Sequence, residues 1–147
     1  MELPIEAVLV LKPIAGHPCG RSSKWRFPGN STFVPYTAEY KRSETAADYE
    51  ASFATVEVRL FANSDWALYA TKEGINSNLQ AQDPSAVTSL TKFGNKVVMN
   101  RVMRYPNGGG DLYFYWASTN RFVQVTFHGP DVDEFLEECL ALHPSTL

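Results

Sequence analysis

The sequence has few cysteines and no long apolar run, and each absence excludes a class of protein. Only Cys19 and Cys139 are cysteines among 147 residues, so a scaffold stapled by many disulfides is excluded, and we expect two free thiols. The longest apolar stretch, Ile5–Leu11, is interrupted by Glu6 and is far shorter than the ~20 residues of a membrane span. The amino end lacks the basic region of a signal peptide, so we expect a cytoplasmic protein or an extracytoplasmic domain without its leader.

Glycine and proline are not enriched, and the net charge is small. Nine residues of each type are too few for a fibrous or low-complexity chain. A net charge of −3 argues against a dedicated nucleic-acid binder, whose domain is usually strongly basic. The charge is nevertheless segregated, because residues 12–42 carry +5 and residues 92–121 carry +4, whereas residues 43–91 and 131–138 each carry −5. No linker divides the chain, so residues 1–147 are expected to form a single domain.

Aromatic residues are abundant, at 13% of the chain, and the last third arranges them in alternation. Phe114 and Trp116 alternate with tyrosines, and a similar pattern follows in residues 121–128. A two-residue loop at Thr119-Asn120 would pair Trp116 with Val123 and Phe114 with Val125. Every partner on that face is then apolar, as cross-strand packing requires, so the sequence predicts a hairpin in this register, with Asn120 suited to a positive φ.

Patterning and capping residues predict the other elements. The predicted strands are Ile5–Lys12, Thr32–Arg42, Ala54–Ala62 and Asn95–Tyr105, and residues 13–31 are predicted to form a loop. Two helices are predicted, one from Asn63 or Ser64 to Gly74 and one from Pro84 to Lys92. A last helix is capped by Asp131 and has an apolar stripe formed by Val132, Phe135, Leu136, Cys139 and Leu140. Pro35 predicts that its strand is an edge strand or bulged. The fold class is α+β, with an antiparallel or mixed sheet of about six strands in the order βββα(α)βββα and the helices on one face. The last helix should cover the Leu112/Phe114/Trp116 face.

A weak internal repeat has an offset of 67 residues. It matches Val56 and Val58 with Val123 and Val125, and each set continues from a strand through a short turn into a capped helix. Duplication is one interpretation, and the general resemblance of strand-to-helix units is the other.

The leading candidate site is the second face of the hairpin, where Tyr113, Tyr115, Gln124 and Thr126 lie. A tyrosine offers both a ring and a hydroxyl, which suits a binding surface. The alternative is that another layer covers this face and makes it a second core. The leading hypothesis is a non-catalytic module that binds a protein or a small ligand of unknown identity.

Two further candidates belong to different functional classes. Register places Asp111 opposite His128, an acid–imidazole pair that a small enzyme could use, although no nucleophile or oxyanion device accompanies it. Residues 21–27 interleave cations with aromatics, through Arg21, Lys24, Trp25 and Arg26, and could bind an anion or a nucleic acid.

His17 and Cys19 are too few ligands for a zinc motif, so no metal and no cofactor are expected.

Overall fold

Strands dominate the structure, a computed structural model that describes residues 3–24, 33–41, 53–81, 91–94, 96–104, 110–129 and 132–147. The elements are α1 (Ile5–Val8), β1 (Cys19–Lys24), β2 (Phe33–Lys41), β3 (Phe53–Phe61), α2 (Ser64–Ala81), β4 (Thr91–Lys92), β5 (Val97–Arg104), β6 (Gly110–Ser118), β7 (Arg121–His128) and α3 (Val132–Leu142). In the described ranges the strands form one sheet in the order β1-β2-β3-β7-β6-β5-β4, and every neighbouring pair is antiparallel. The predicted α+β class with an antiparallel sheet is confirmed.

The predicted hairpin is confirmed in its register. Trp116 pairs with Val123 and Phe114 with Val125, and the side chains of all four are buried. The turn differs in one respect, because Thr119 has a φ of 54° and Asn120 is not among the residues with positive φ. The left-handed position is therefore the first loop residue, which is typical of a type II′ turn.

The two halves of the chain meet at the β3/β7 pairing. Glu57 pairs with Gln124, and these are the residues that the repeat offset of 67 makes equivalent. In the described residues two strands, β2 and β1, continue outward from β3, and three, β6, β5 and β4, continue outward from β7, where β4 adds a two-residue strand at the edge. The strands thus have an approximate two-fold relation centred on this pair.

The helices break that relation. Helices α1 and α3 pack on the face that carries Phe114 and Trp116, as predicted for the last helix. Helix α2 packs on the other face, through Ala67 and Ala70 against Tyr115 and Phe122. The prediction that the helices share one face is therefore corrected for α2, whose buried residues in the described part, Ala67 and Thr71, are small and allow close approach to the sheet.

The amino-terminal segment is also corrected. Residues 5–8 form a helix rather than a strand, and Val8 and Leu9 are buried on the core beneath them. Two tyrosines of β2 hold the segment there: Tyr36 donates to the Leu3 backbone oxygen over 2.7 Å, and Tyr40 donates to the Val10 oxygen. The first strand of the sheet instead comes from the predicted loop, at Cys19–Lys24.

Helix α2 and strand β2 also differ from the sequence prediction. Helix α2 begins with Asn63 as its cap, since the Asn63 carboxamide oxygen accepts from the Trp66 N–H over 3.1 Å, but it continues through Gly74. An interior glycine costs about 1 kcal/mol, which tertiary packing can offset. Strand β2 is internal, and Pro35 lies one residue beyond the last described pair of β1, Lys24 with Tyr36.

Two predicted features fall outside the described residues: most of the helix at 84–92 and the cap at Asp131. Residues 91–92 are strand β4 rather than helix. Among the helices of the described ranges, none has the length and apolar character needed to cross a bilayer.

Candidate functional site

Helix α2 covers part of the second face of the hairpin, which carries Tyr113, Tyr115, Gln124 and Thr126 and which we call the tyrosine face. Tyr115 is only 4% exposed and packs with Phe122, their ring centroids 5.8 Å apart, beneath Ala67 of the helix. The second-core alternative therefore holds for Tyr115, which cannot present its ring to a partner. Tyr113, Gln124 and Thr126 lie on the same face of the sheet, are not part of the cluster beneath α2 and are half-buried.

An arginine of β3 packs against the cluster beneath α2 that contains Phe122. The Arg59 guanidinium carbon lies 5.1 Å from the ring centroids of both Phe33 and Phe122. Its Nη2 is 3.4 Å from the Glu57 carboxylate, while its buried Nε has no hydrogen-bond partner. Cation–π contacts of this kind hold the guanidinium against the phenylalanine rings. In the sequence, Arg59 and Glu57 alternate with the apolar residues of β3, which indicates that both lie on the second face of the sheet.

The acid–imidazole pair is only partly placed. His128 is half-buried as the last residue of β7, where it pairs with Phe53 of β3. The β6/β7 ladder ends at Leu112 with Phe127, one pair short of Asp111 with His128. The side chain of Asp111 is outside the described set, so the pair stays a hypothesis.

The basic–aromatic segment is half described. Arg21 is exposed on β1, and the Lys24 ammonium lies 3.5 Å from the Leu3 backbone oxygen. Trp25 and Arg26 lie outside the described residues. The segment thus begins as the edge strand of the sheet rather than as a loop.

The thiols and the buried imidazole form structural contacts. Cys19 and Cys139 are free, and burial raises the pKa of both. The His17 ring is fully buried, packs edge-on to Phe135 with centroids 5.4 Å apart, and has Nδ1 2.8 Å from the Ala15 oxygen. In the described ranges, no three His, Cys, Asp or Glu side chains come together as metal ligands.

A cleft that the sequence did not predict lies between α3 and the turn from β4 to β5. Its volume is about 340 Å³, at the lower end of the range of small-molecule sites. We name it the C-terminal cleft; its lining residues are Phe93, Lys96, Glu137, Leu140, Ala141, Pro144 and Ser145. Four of these are apolar, and the three polar ones supply an ammonium, a carboxylate and a hydroxyl.

The walls of the cleft are fixed by buried contacts. Helix α3 is anchored by Phe135 and Leu136, both 0% exposed. The chain beyond it is held by the Trp116 indole, whose Nε1 donates to the His143 backbone oxygen over 2.7 Å. The Ser145 hydroxyl then donates to the Lys96 backbone oxygen over 2.7 Å, joining the tail to the β4–β5 turn. The cleft is therefore preformed.

The rim of the cleft carries both signs of charge. Lys96 and Glu137 are exposed, and in the described part of the chain neither forms an ion pair. Phe93 adopts a φ of 54°, a strained conformation for an aromatic residue, and its ring packs on the main core. In the sequence, Lys96 belongs to the basic segment 92–121 and Glu137 to the acidic segment 131–138. This separation of charge along the chain is the feature of the sequence that relates to the two signs of charge at the rim.

Burial also shapes the titration of His143 behind the cleft. The ring is 6% exposed, and desolvation, with a smaller contribution from the Arg121 charge, lowers its pKa to about 4. The imidazole is thus neutral at physiological pH, because burial disfavours its charged form.

Comparison with models of protein families, with curated proteins and with solved structures finds no match to the chain.

Proposed function

We propose that the protein is a non-catalytic binding module that holds a small amphipathic ligand in the C-terminal cleft. The observation that carries the proposal is a cleft with an apolar lining whose rim has the exposed Lys96 ammonium on one wall and the exposed Glu137 carboxylate on the other, neither of them in an ion pair with the described residues. Preformed apolar pockets with a few convergent polar groups are the usual form of small-ligand sites.

The lining selects a ligand class. Leu140, Ala141 and Pro144 would contact a compact apolar body, because they are apolar residues of the lining. Lys96 would attract an anionic group and Glu137 a cationic one, so a zwitterion with an apolar side chain satisfies both. A free amino acid or the end of a short peptide has this chemistry.

Three matched probes test the proposal: leucine, N-acetyl-leucine and leucine amide, which are zwitterionic, anionic and cationic. Each is titrated into ¹⁵N-labelled protein while the backbone amide resonances are followed. We expect shifts concentrated at Lys96, Leu140, Ala141 and Ser145, with leucine binding most tightly and a Kd on the order of 1 mM for so small a probe. Shifts that avoid these residues, or an equal response to all three probes, would contradict the proposal.

A further inference from the structure

Helix α2 exposes two neighbouring aromatic side chains on the side away from the sheet. Trp66 is 46% exposed and Tyr69 55%, whereas Ala67 and Thr71, on the opposite side of the same helix, are fully buried. Single exposed apolar residues are common, but two large rings in contact form a patch, and patches mark interaction sites. This pair is separate from the C-terminal cleft.

The two rings form an open corner. Their centroids are 6.0 Å apart and their planes meet at 86°. Glu73 follows at the next turn of the same stripe, since positions 66, 69 and 73 have the i, i+3, i+7 spacing of one helix face. The Glu73 carboxylate charge raises the pKa of the Tyr69 hydroxyl, as expected for two side chains one helical turn apart. We name these three residues the aromatic–acidic ridge.

The ridge has the chemistry of a cation site. The faces of Trp and Tyr rings are negative and attract an ammonium or a guanidinium within about 6 Å of the centroid. Glu73 adds a full negative charge beside them, and in the described ranges it forms no ion pair. The same helical periodicity places Lys72 on the opposite side of Tyr69 from Glu73.

The helix also holds the ridge in place. The Asn63 cap fixes the first turn, in which Trp66 lies. Thr71 donates to the Ala67 backbone oxygen over 3.1 Å on the buried side, where α2 packs on the sheet. The rings are therefore presented on a rigid element, which limits the entropy that binding would cost.

We infer that the aromatic–acidic ridge binds an arginine or lysine side chain in a basic segment of a partner protein. Charge complementarity selects this partner, because the exposed Glu73 carboxylate lies one helical turn from Tyr69 and forms no ion pair with the described residues. The cation would lie against the Trp66 and Tyr69 rings, with its charge directed toward Glu73.

The test uses a blocked pentapeptide of alternating glycine and arginine and its glycine–glutamate counterpart. Each is titrated into the ¹⁵N-labelled full chain while the Trp66 indole resonance is followed, which W66F identifies. We expect a saturable shift with the arginine peptide and none with the glutamate peptide. Glu73→Gln should weaken binding at least about threefold, and Trp66→Leu should abolish the saturable shift of the α2 amides.

Glu6→Gln is the matched control, because it removes the same charge from an exposed position on α1. Unchanged binding in this variant supports a local site. Equal weakening in Glu6→Gln and Glu73→Gln would overturn the inference, because the attraction would then come from net charge alone. Tighter binding of tetramethylammonium than of the arginine peptide would also overturn it, since the occupant would be a small quaternary ammonium ion.

Discussion

The hydroxyl of Ser145 donates a 2.7 Å hydrogen bond to the backbone oxygen of Lys96 and joins the two walls of the C-terminal cleft. These residues are 49 positions apart, so the bond depends on the complete fold. It places the tail against the β4–β5 turn and sets the width of the cleft.

Ser145→Ala should loosen the cleft without unfolding the protein. The lost hydrogen bond should cost about 1 kcal/mol in the free energy of unfolding, measured by urea denaturation. Binding of N-acetyl-leucine should weaken two- to threefold, because the wall that carries Lys96 is no longer fixed. Ser64→Ala, at an exposed site on α2, is the control and should change neither quantity; wild-type binding by Ser145→Ala would mean that the bond does not shape the cleft.

The two rim charges should be separable. Lys96→Gln should weaken N-acetyl-leucine about two- to fivefold and leave leucine amide unchanged, while Glu137→Gln should do the reverse. Calorimetry or the amide shifts give the four affinities. The same loss with both probes in either variant would show that the charges do not face the ligand.

Tyr113 and Tyr115 should differ sharply in stability. Tyr115→Ala should lower the free energy of unfolding by about 3–5 kcal/mol, because its ring is buried with Phe122 beneath α2. Tyr113→Ala should cost about 1 kcal/mol or less, since that side chain is half-buried. Urea denaturation measures both, and equal losses would contradict the division of the tyrosine face.

The hairpin turn offers a test of backbone conformation. Thr119→Gly should raise stability by about 0.5–1 kcal/mol, because Thr119 has a positive φ and glycine is favoured at the first position of a type II′ turn. Asn120→Gly should lower it, because Asn120 Nδ2 donates to the Phe61 oxygen over 3.0 Å. Thermal unfolding ranks the variants, and the opposite order would place the left-handed residue at Asn120.

Stability should fall in acid because of His143. Its folded pKa of about 4 lies below the unfolded value of 6.5, so the unfolded chain binds the proton more readily between these values. The contribution is therefore complete above pH 6.5 and is lost as pH falls toward 4, to a total of about 3 kcal/mol. His143→Gln should remove this part of the pH dependence in urea titrations at pH 7 and pH 4.5. An identical slope in the variant would contradict the assignment.

Much of the sheet could be predicted because burial forces a pattern of period two. The Trp116–Val123 register followed from matching apolar partners, and a one-residue slip would move one strand's apolar residues to the opposite face and break the match. The stripe of α3 followed in the same way from its period of 3.6.

The remaining features depend on contacts that local patterns do not encode. The Ile5–Val8 segment has strand-like composition but becomes helical where tyrosines of β2 bind its neighbours. Helix α2 passes Gly74 and packs on the opposite face through small residues, which a hydrophobic stripe does not reveal. The cleft joins Phe93, Lys96 and Glu137 from segments that only the closed fold brings together.

The most direct measurement is an intermolecular NOE experiment on the full chain with unlabelled leucine and ¹³C,¹⁵N-labelled protein. If the C-terminal cleft is the ligand site, the leucine methyl groups should give NOEs to the Phe93 ring and the Leu140 methyls, whose side chains line it. NOEs confined to any other surface, or none at leucine concentrations well above 1 mM, would contradict the assignment of this cleft as the binding site.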